Sequence, residues 1–134
     1  MEIVRGRKIC GAIAEGPVLV SHEPISFFGG VNPDTGMITE KNHELEGRTI
    51  KDTILVFPHG KGSTVGSYTL YRMKKNRVAP KAIVNVESEP IVAVGAIISE
   101  IPAVDKLEKN PVVFLQTGMR VRVNGNESTV EVLD

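Results

Sequence analysis

Two apolar runs, residues 53–57 and 82–86, are continuous rather than alternating, the pattern of strands buried on both faces. Between them Gly66, Leu70 and Met73 fall at i, i+4 and i+7 on one helical face, and Lys74, Lys75 and Arg77 follow where a helix C-terminus favours positive charge. A strand, a helix and a strand of these lengths predict a right-handed βαβ crossover with parallel pairing. Residues 91–100 are apolar on all sides, with Glu89 and Pro90 ahead of them, and predict a short buried helix, although their β-branched content also allows a strand. The flanks read as β-structure. Residues 3–10 and 12–14 predict a strand broken at Gly11, and Glu15, Gly16 and Pro17 predict a turn into a second strand at 18–20. Residues 37–39 and 111–115 predict further strands, and 101–106 a connector with a helical turn. Near the C-terminus two alternating runs flank Asn124 and Gly125, which predicts a hairpin with a tight turn. The pattern sums to six to eight strands with two or three helices, a mixed α/β domain with β-rich ends.

Two segments are loops by composition. Residues 21–26 lead into residues 27–36, which contain three glycines, one proline, Asn32 and Asp34, so turn chemistry directs their path, and a loop this long in a small domain is equally a candidate for function and a pair of successive turns. Residues 40–47 are polar and close on Gly47. Their His43 reads as a surface histidine, since no second His or Cys lies near it.

The most informative stretch follows the first buried strand. Pro58 ends that strand, Gly60 and Gly62 allow a tight turn, and Ser63 stands where a helix N-cap is expected. A helix N-terminus, the Lys61 ammonium and the Ser63 hydroxyl around one small space would suit an anion. Taken alone, the same residues favour an ordinary turn and cap. The spacing is not that of a P-loop, and a bare Gly-x-Gly-Ser does not decide between these readings. Ligands in parallel α/β sheets collect beyond the carboxyl ends of the strands, where Ser63 is expected.

Composition narrows the classes. At 134 residues the chain suits one domain, taken here as 1–134. Sixteen basic and sixteen acidic residues cancel, and with four Phe, two Tyr and no Trp there is neither a field nor a stacking platform for nucleic acid. No run approaches the roughly 20 apolar residues of a membrane span, and the N-terminus is charged where a signal peptide needs an apolar core, so a cytoplasmic protein is expected. Cys10 is the only cysteine. A disulfide within the chain and a cysteine-held cluster or zinc site of its own are excluded, and any such cofactor must come from a partner.

Residues 11–16 (Gly-Ala-Ile-Ala-Glu-Gly), residues 19–36 with their Phe-Gly-Gly-Val-Asn-Pro-Asp-Thr-Gly end, then His43, Leu45 and Gly47, then Gly60, Lys61, Gly62 and Ser63 resemble, in order and spacing, the swivelling-domain subunit of the aconitase X family. The resemblance runs from about Gly11 to the terminal hairpin. Asn32 stands where the family usually has Asp, and Lys61 where it often has Arg. The resemblance implies a swivelling β/β/α fold and a separate large subunit carrying a [4Fe-4S] iron–sulfur cluster, in line with the single cysteine. It implies a hydro-lyase, active only with that subunit, that dehydrates 5-phosphomevalonate to trans-anhydromevalonate 5-phosphate in the archaeal mevalonate route to isoprenoids. Ser63 is then the proton acceptor, for which an electropositive, water-poor site is expected. Lys61, Gly62, Thr64, Gly29 and Gly30 are candidate contacts to the anionic substrate, with His43 and Arg120 behind them. Two alternatives stay open: a dehydratase subunit for another hydroxy-acid such as hydroxyproline, and a non-catalytic anion-binding or assembly module. A hydrolase with a Ser63 nucleophile is disfavoured by the absence of a Gly-x-Ser-x-Gly elbow.

Overall fold

The computed structural model of the protein describes residues 2–133. In chain order the elements are β1 (Ile3–Arg5), β2 (Arg7–Cys10), β3 (Ile13–Val20), α1 (Phe27–Gly30), β4 (Ile54–Phe57), α2 (Gly66–Lys75), β5 (Ala82–Asn85), α3 (Pro90–Ser99), β6 (Ala103–Asp105), α4 (Pro111–Phe114), β7 (Arg120–Asn124) and β8 (Thr129–Val132). The strands form one mixed sheet in the order β1-β8-β7-β3-β4-β5-β6-β2. Strands β3, β4, β5 and β6 run parallel, with β7 antiparallel to β3 and β2 antiparallel to β6. Although β1 and β2 stand at opposite ends of this order, only Gly6 separates them, so the sheet curls back on itself. Both edges meet there: Gly6 N–H donates to Ser128 O at 2.8 Å, while Arg7 grips the buried Asp105 through two nitrogens at 2.9 and 2.7 Å.

Strand alternation divides the interior into two cores. Val18, Val20, Ile54, Val56, Ala82, Val84 and Val104 point into the curled side with Val121, Val123, Val130 and Leu115. Leu19, Leu55, Phe57, Ile83 and Ala103 point the other way, against Leu70 and Met73 of α2, Val92 and Ala96 of α3, and Phe27, Ile38 and Leu45 of the connection between β3 and β4. The β4, α2, β5 crossover is parallel as predicted, and both strands are buried throughout. Each fully buried Leu, Ile or Phe here contributes roughly 1.5–3 kcal/mol over leaving it in water. The mixed α/β class with a βαβ crossover and a C-terminal hairpin, expected from the sequence, is the observed architecture.

Several local expectations differ. The N-terminal strand breaks at Gly11 as predicted and once more at Gly6, whereas Glu15, Gly16 and Pro17 lie inside β3 instead of forming a turn. Val18 directs its N–H to Met119 O and its C=O to Gly118 N, so the nitrogen of Pro17 falls on the other side, where β4 begins pairing only at Val18. Residues 103–105 are a strand rather than a helical turn, because β5 and β2 flank them on both sides. Residues 111–115 are a helical turn rather than a strand. Asn110 Oδ1 accepts from Val112 N–H at 3.1 Å and Pro111 takes the first helical position, which the apolar pattern alone does not weigh.

The terminal hairpin closes through four residues, 125–128, rather than a two-residue turn at Asn124 and Gly125. Asn124 Oδ1 accepts from Glu127 N–H at 3.0 Å, and Gly125 passes so close to Cys10 that a Cβ on it would lie 2.0 Å from Cys10 O. Met37 and Ile38 form isolated bridges, to Thr49 and Val31, rather than a strand. Helix α3 starts at Pro90 under a Glu89 cap as predicted, yet it is not buried all round: Val94, Ile97 and Ile98 are exposed.

Candidate functional site

Beyond the end of β4 the chain turns through residues 58–65 before α2 begins at Gly66. This turn is pinned to the long loop by a short parallel bridge of Ile25 with Gly60: Ile25 N–H donates to His59 O at 3.3 Å and Lys61 N–H to Ile25 O at 3.1 Å. The bridge fixes which loop residues face the turn. Ser26 follows it, and its hydroxyl donates to Phe28 O at 2.9 Å, holding the chain where α1 kinks into non-helical angles at Phe28 and Gly29. Gly29 has φ +89° and Gly62 φ +91°, a region costly for residues with a Cβ. Gly62 also has no room for one, since an added Cβ would lie 2.7 Å from Ser26 Oγ. Ser26, Phe28, Gly29, Gly30, Glu40, Lys61 and Gly62 thereby line one open depression.

Ser63 sits at its edge, exposed to solvent. Its Oγ accepts from Val65 N–H at 3.1 Å and its carbonyl from Gly66 N–H at 2.9 Å. Ser63 therefore caps the turn that precedes the helix, and the N-cap of α2 is Val65, two residues after the position predicted. Ser67, Tyr68 and Thr69 donate to Thr64 O and Val65 O, so the first helical N–H groups are already used. Among the described residues, the N–H groups of Gly62, Ser63 and Thr64 make no internal hydrogen bond, so the donors available to an anion lie in the turn itself. A hydrogen bond donated to Oγ and the nearby helix start both favour negative charge on the serine oxygen.

The site is less positive than expected. Lys61 Nζ is 2.8 Å from Glu40 Oε2, and both side chains are partly exposed, so a carboxylate offsets the ammonium. Nor is the site dry in this chain alone. Of the other candidates, Thr64 borders a neighbouring groove with Val65, Tyr68, Ile91 and Val94. His43 is buried rather than on the surface, and its ring spans Pro24 O at 3.0 Å and Leu45 N–H at 3.0 Å, a structural brace for the loop. Arg120 opens β7 and pairs with Pro17 of β3, away from this turn in the sheet order. Ser26 and Glu40 were not singled out from the sequence. Their only local signal is a polar side chain in a turn-rich segment, and it takes the bridge of Ile25 with Gly60 to bring them to the site.

An iron–sulfur cluster does not fit the residues of this chain. Among the described residues there is no group of three or more His, Cys, Asp or Glu able to hold a metal. Cys10 is half-buried at the end of β2, where burial first and the Glu100 carboxylate second push its thiol up and disfavour the ligating thiolate.

Comparison with known proteins gives concordant results. Residues 3–132 match the model of the aconitase X swivel domain. The phosphomevalonate dehydratase small subunit of Methanosarcina mazei is 60% identical over 129 residues, covering 96% of this chain and 90% of that protein. That of Thermococcus kodakarensis is 54% identical, covering 98% and 96%. The crystal structure of Thermococcus kodakaraensis aconitase X in its holo-form contains a chain that superposes with a TM-score of 0.95 at 53% identity, with 100% of each chain covered. With its β/β/α layering and the glycine-lined turn ahead of α2, the chain belongs to the aconitase X swivel-domain family.

Proposed function

We propose that this chain is the small subunit of a phosphomevalonate dehydratase, a hydro-lyase that converts 5-phosphomevalonate to trans-anhydromevalonate 5-phosphate, and that Ser63 is its proton acceptor. The observation that carries the reading is the turn of residues 62–64, where one hydroxyl polarised by Val65 N–H stands among uncommitted backbone donors next to Gly62, which lines one depression with Gly29 and Gly30. The names of the relatives at 54–60% identity support the substrate. In this reading residues 1–134 form one swivel domain that works in the cytoplasm.

The active site is completed by a separate large subunit. An exposed serine is a weak base in water, and only a covering partner makes its surroundings dry enough for the Val65 N–H and the helix start to matter. The reading assigns the [4Fe-4S] cluster to that subunit, and no step of this chain's chemistry runs through it. Ser63 takes the proton from the carbon next to the substrate carboxylate. The released electron pair forms the carbon–carbon double bond as the C–O bond breaks, and the departing hydroxide together with the proton held by Ser63 makes up the water that is lost. The N–H groups of Gly62 and Thr64, the Gly29 and Gly30 backbone and the Lys61 ammonium hold the anionic ends of the substrate.

The test is anaerobic co-expression with the large subunit and a turnover assay on 5-phosphomevalonate. Activity should require both chains, and Ser63→Ala should lower kcat by roughly 10²–10⁴-fold, the usual contribution of a positioned base, while the complex still assembles. A stable complex that ignores 5-phosphomevalonate but dehydrates another hydroxy-acid would overturn the substrate, and full activity in Ser63→Ala would overturn the role of the serine.

A further inference from the structure

Lys61 stands at the end of a flexible stem in a turn of glycines, and its ammonium is held by a residue from elsewhere in the chain. Glu40 Oε2 lies 2.8 Å from Lys61 Nζ. Glu40 is in turn anchored through its backbone: Thr39 N–H donates to Gly30 O at 2.9 Å and Glu40 N–H to the same oxygen at 3.3 Å. An added Cβ on Gly30 would lie 3.3 Å from Glu40 Oε1, so the carboxylate packs directly on that glycine. One side chain thus ties the backbone that offers Gly29 and Gly30 to the cation beside Gly62 and Ser63, and all of them except Ser63 line the same depression.

We propose that Glu40 is a positioning residue for the anionic substrate, acting through Lys61; this rests on the dehydratase reading above. A lysine ammonium has three donors, and one bond to Glu40 leaves two for a phosphate or carboxylate oxygen. The ion pair removes the rotational freedom that Lys61 would otherwise lose on binding, and it fixes the ammonium over the glycine backbone. The phosphate end of the substrate, which Lys61 contacts in this proposal and which is remote from the breaking bonds, carries the same charge in ground state and transition state. Losing its placement therefore raises KM and leaves kcat little changed.

The experiment is a double-mutant cycle in the assembled two-subunit enzyme, with Glu40→Ala, Lys61→Ala, the double variant and Glu40→Gln. Glu40→Ala should raise KM for 5-phosphomevalonate roughly 3–10-fold with kcat within about two-fold, as removal of uniform binding requires. In the Lys61→Ala background it should add nothing. Glu40→Gln, which keeps an acceptor for Nζ, should restore KM to near wild type. Equal KM effects of Glu40→Ala with and without Lys61, an unchanged KM, or a Gln variant as impaired as Ala would each overturn the proposal. The wild-type complex and the same four variants titrated with inorganic phosphate give the cycle without turnover. A wild-type complex inactive on 5-phosphomevalonate would count against the substrate reading, while a flat phosphate cycle would count against Glu40.

Discussion

Gly62 and Gly29 have nearly the same backbone angle but different surroundings, and the difference is measurable. Gly29 at φ +89° has nothing within 4 Å of an added Cβ, whereas Gly62 at φ +91° would set one 2.7 Å from Ser26 Oγ. Gly29→Ala should cost about 1–2 kcal/mol, the strain of a left-handed alanine. Gly62→Ala should cost that and in addition displace Ser26, whose hydroxyl holds the Phe28 carbonyl. Chemical denaturation of both variants should rank Gly62→Ala as the less stable, and equal losses would show that Ser26 yields without cost. Residue identity was the more legible part of this site, because Gly60, Lys61, Gly62 and Ser63 are contiguous. Ser26 and Glu40 were not legible, because they lie 36 and 21 positions before Gly62 and Lys61 and reach them only through tertiary pairing.

At the level of elements, caps settled what periodicity left ambiguous. Glu89 accepts from Ile91 N–H and Val92 N–H, each at 2.9 Å, and so starts α3 on a run rich in β-branched residues that would serve equally as a strand. Glu89→Ala should cost about 1 kcal/mol, within the usual range for losing a cap. The loss should register as a lower midpoint in thermal unfolding and as faster amide exchange in the first turn of α3. A midpoint unchanged from wild type would mean that packing of Val92 and Ala96 alone starts the helix. The same logic explains residues 111–115, where Asn110 and Pro111 impose a helical turn on an apolar stretch. Ser63 is the converse case. Its Oγ caps a turn, and the helix proper waits until Gly66.

At the scale of the whole molecule, a tie between the residues just after β3 and the polar segment 40–47 contributes to stability in acid. The Glu44 carboxylate accepts from His22 N–H, lies 3.2 Å from His22 Nδ1, and receives Ser21 Oγ at 3.4 Å. Burial pushes this carboxyl up, but the hydrogen bonds from His22, its charge and the bond from Ser21 together outweigh it, and the group ends below its ordinary value of 4.5. Between the lowered folded value and the ordinary one the unfolded chain binds more protons, so stability rises with pH through that window. The contribution is fully present above about 4.5 and is lost as pH falls through the folded value. Glu44→Gln should flatten the acid limb of the stability curve, and a limb that keeps its wild-type slope would place the titration elsewhere.

The sequence by itself determined the elements whose evidence is local: the parallel crossover from residues 53–57 to 82–86, the amphipathic face of α2, the cap of α3 and the glycine-rich turn that carries Ser63. Each rests on residues within a turn or two of one another, where sterics and hydrogen bonding act on neighbours. Tertiary structure decided the rest. Whether Pro17 interrupts a strand depends on which side β4 joins it, whether residues 103–105 pair depends on β5 and β2, and whether Gly125 closes a hairpin or makes room depends on Cys10. It decided the charge of the site as well, because the partner of Lys61 comes from a distant part of the chain. The interaction of two charges is set by their separation in space, and chain order does not fix that separation until the fold brings them together.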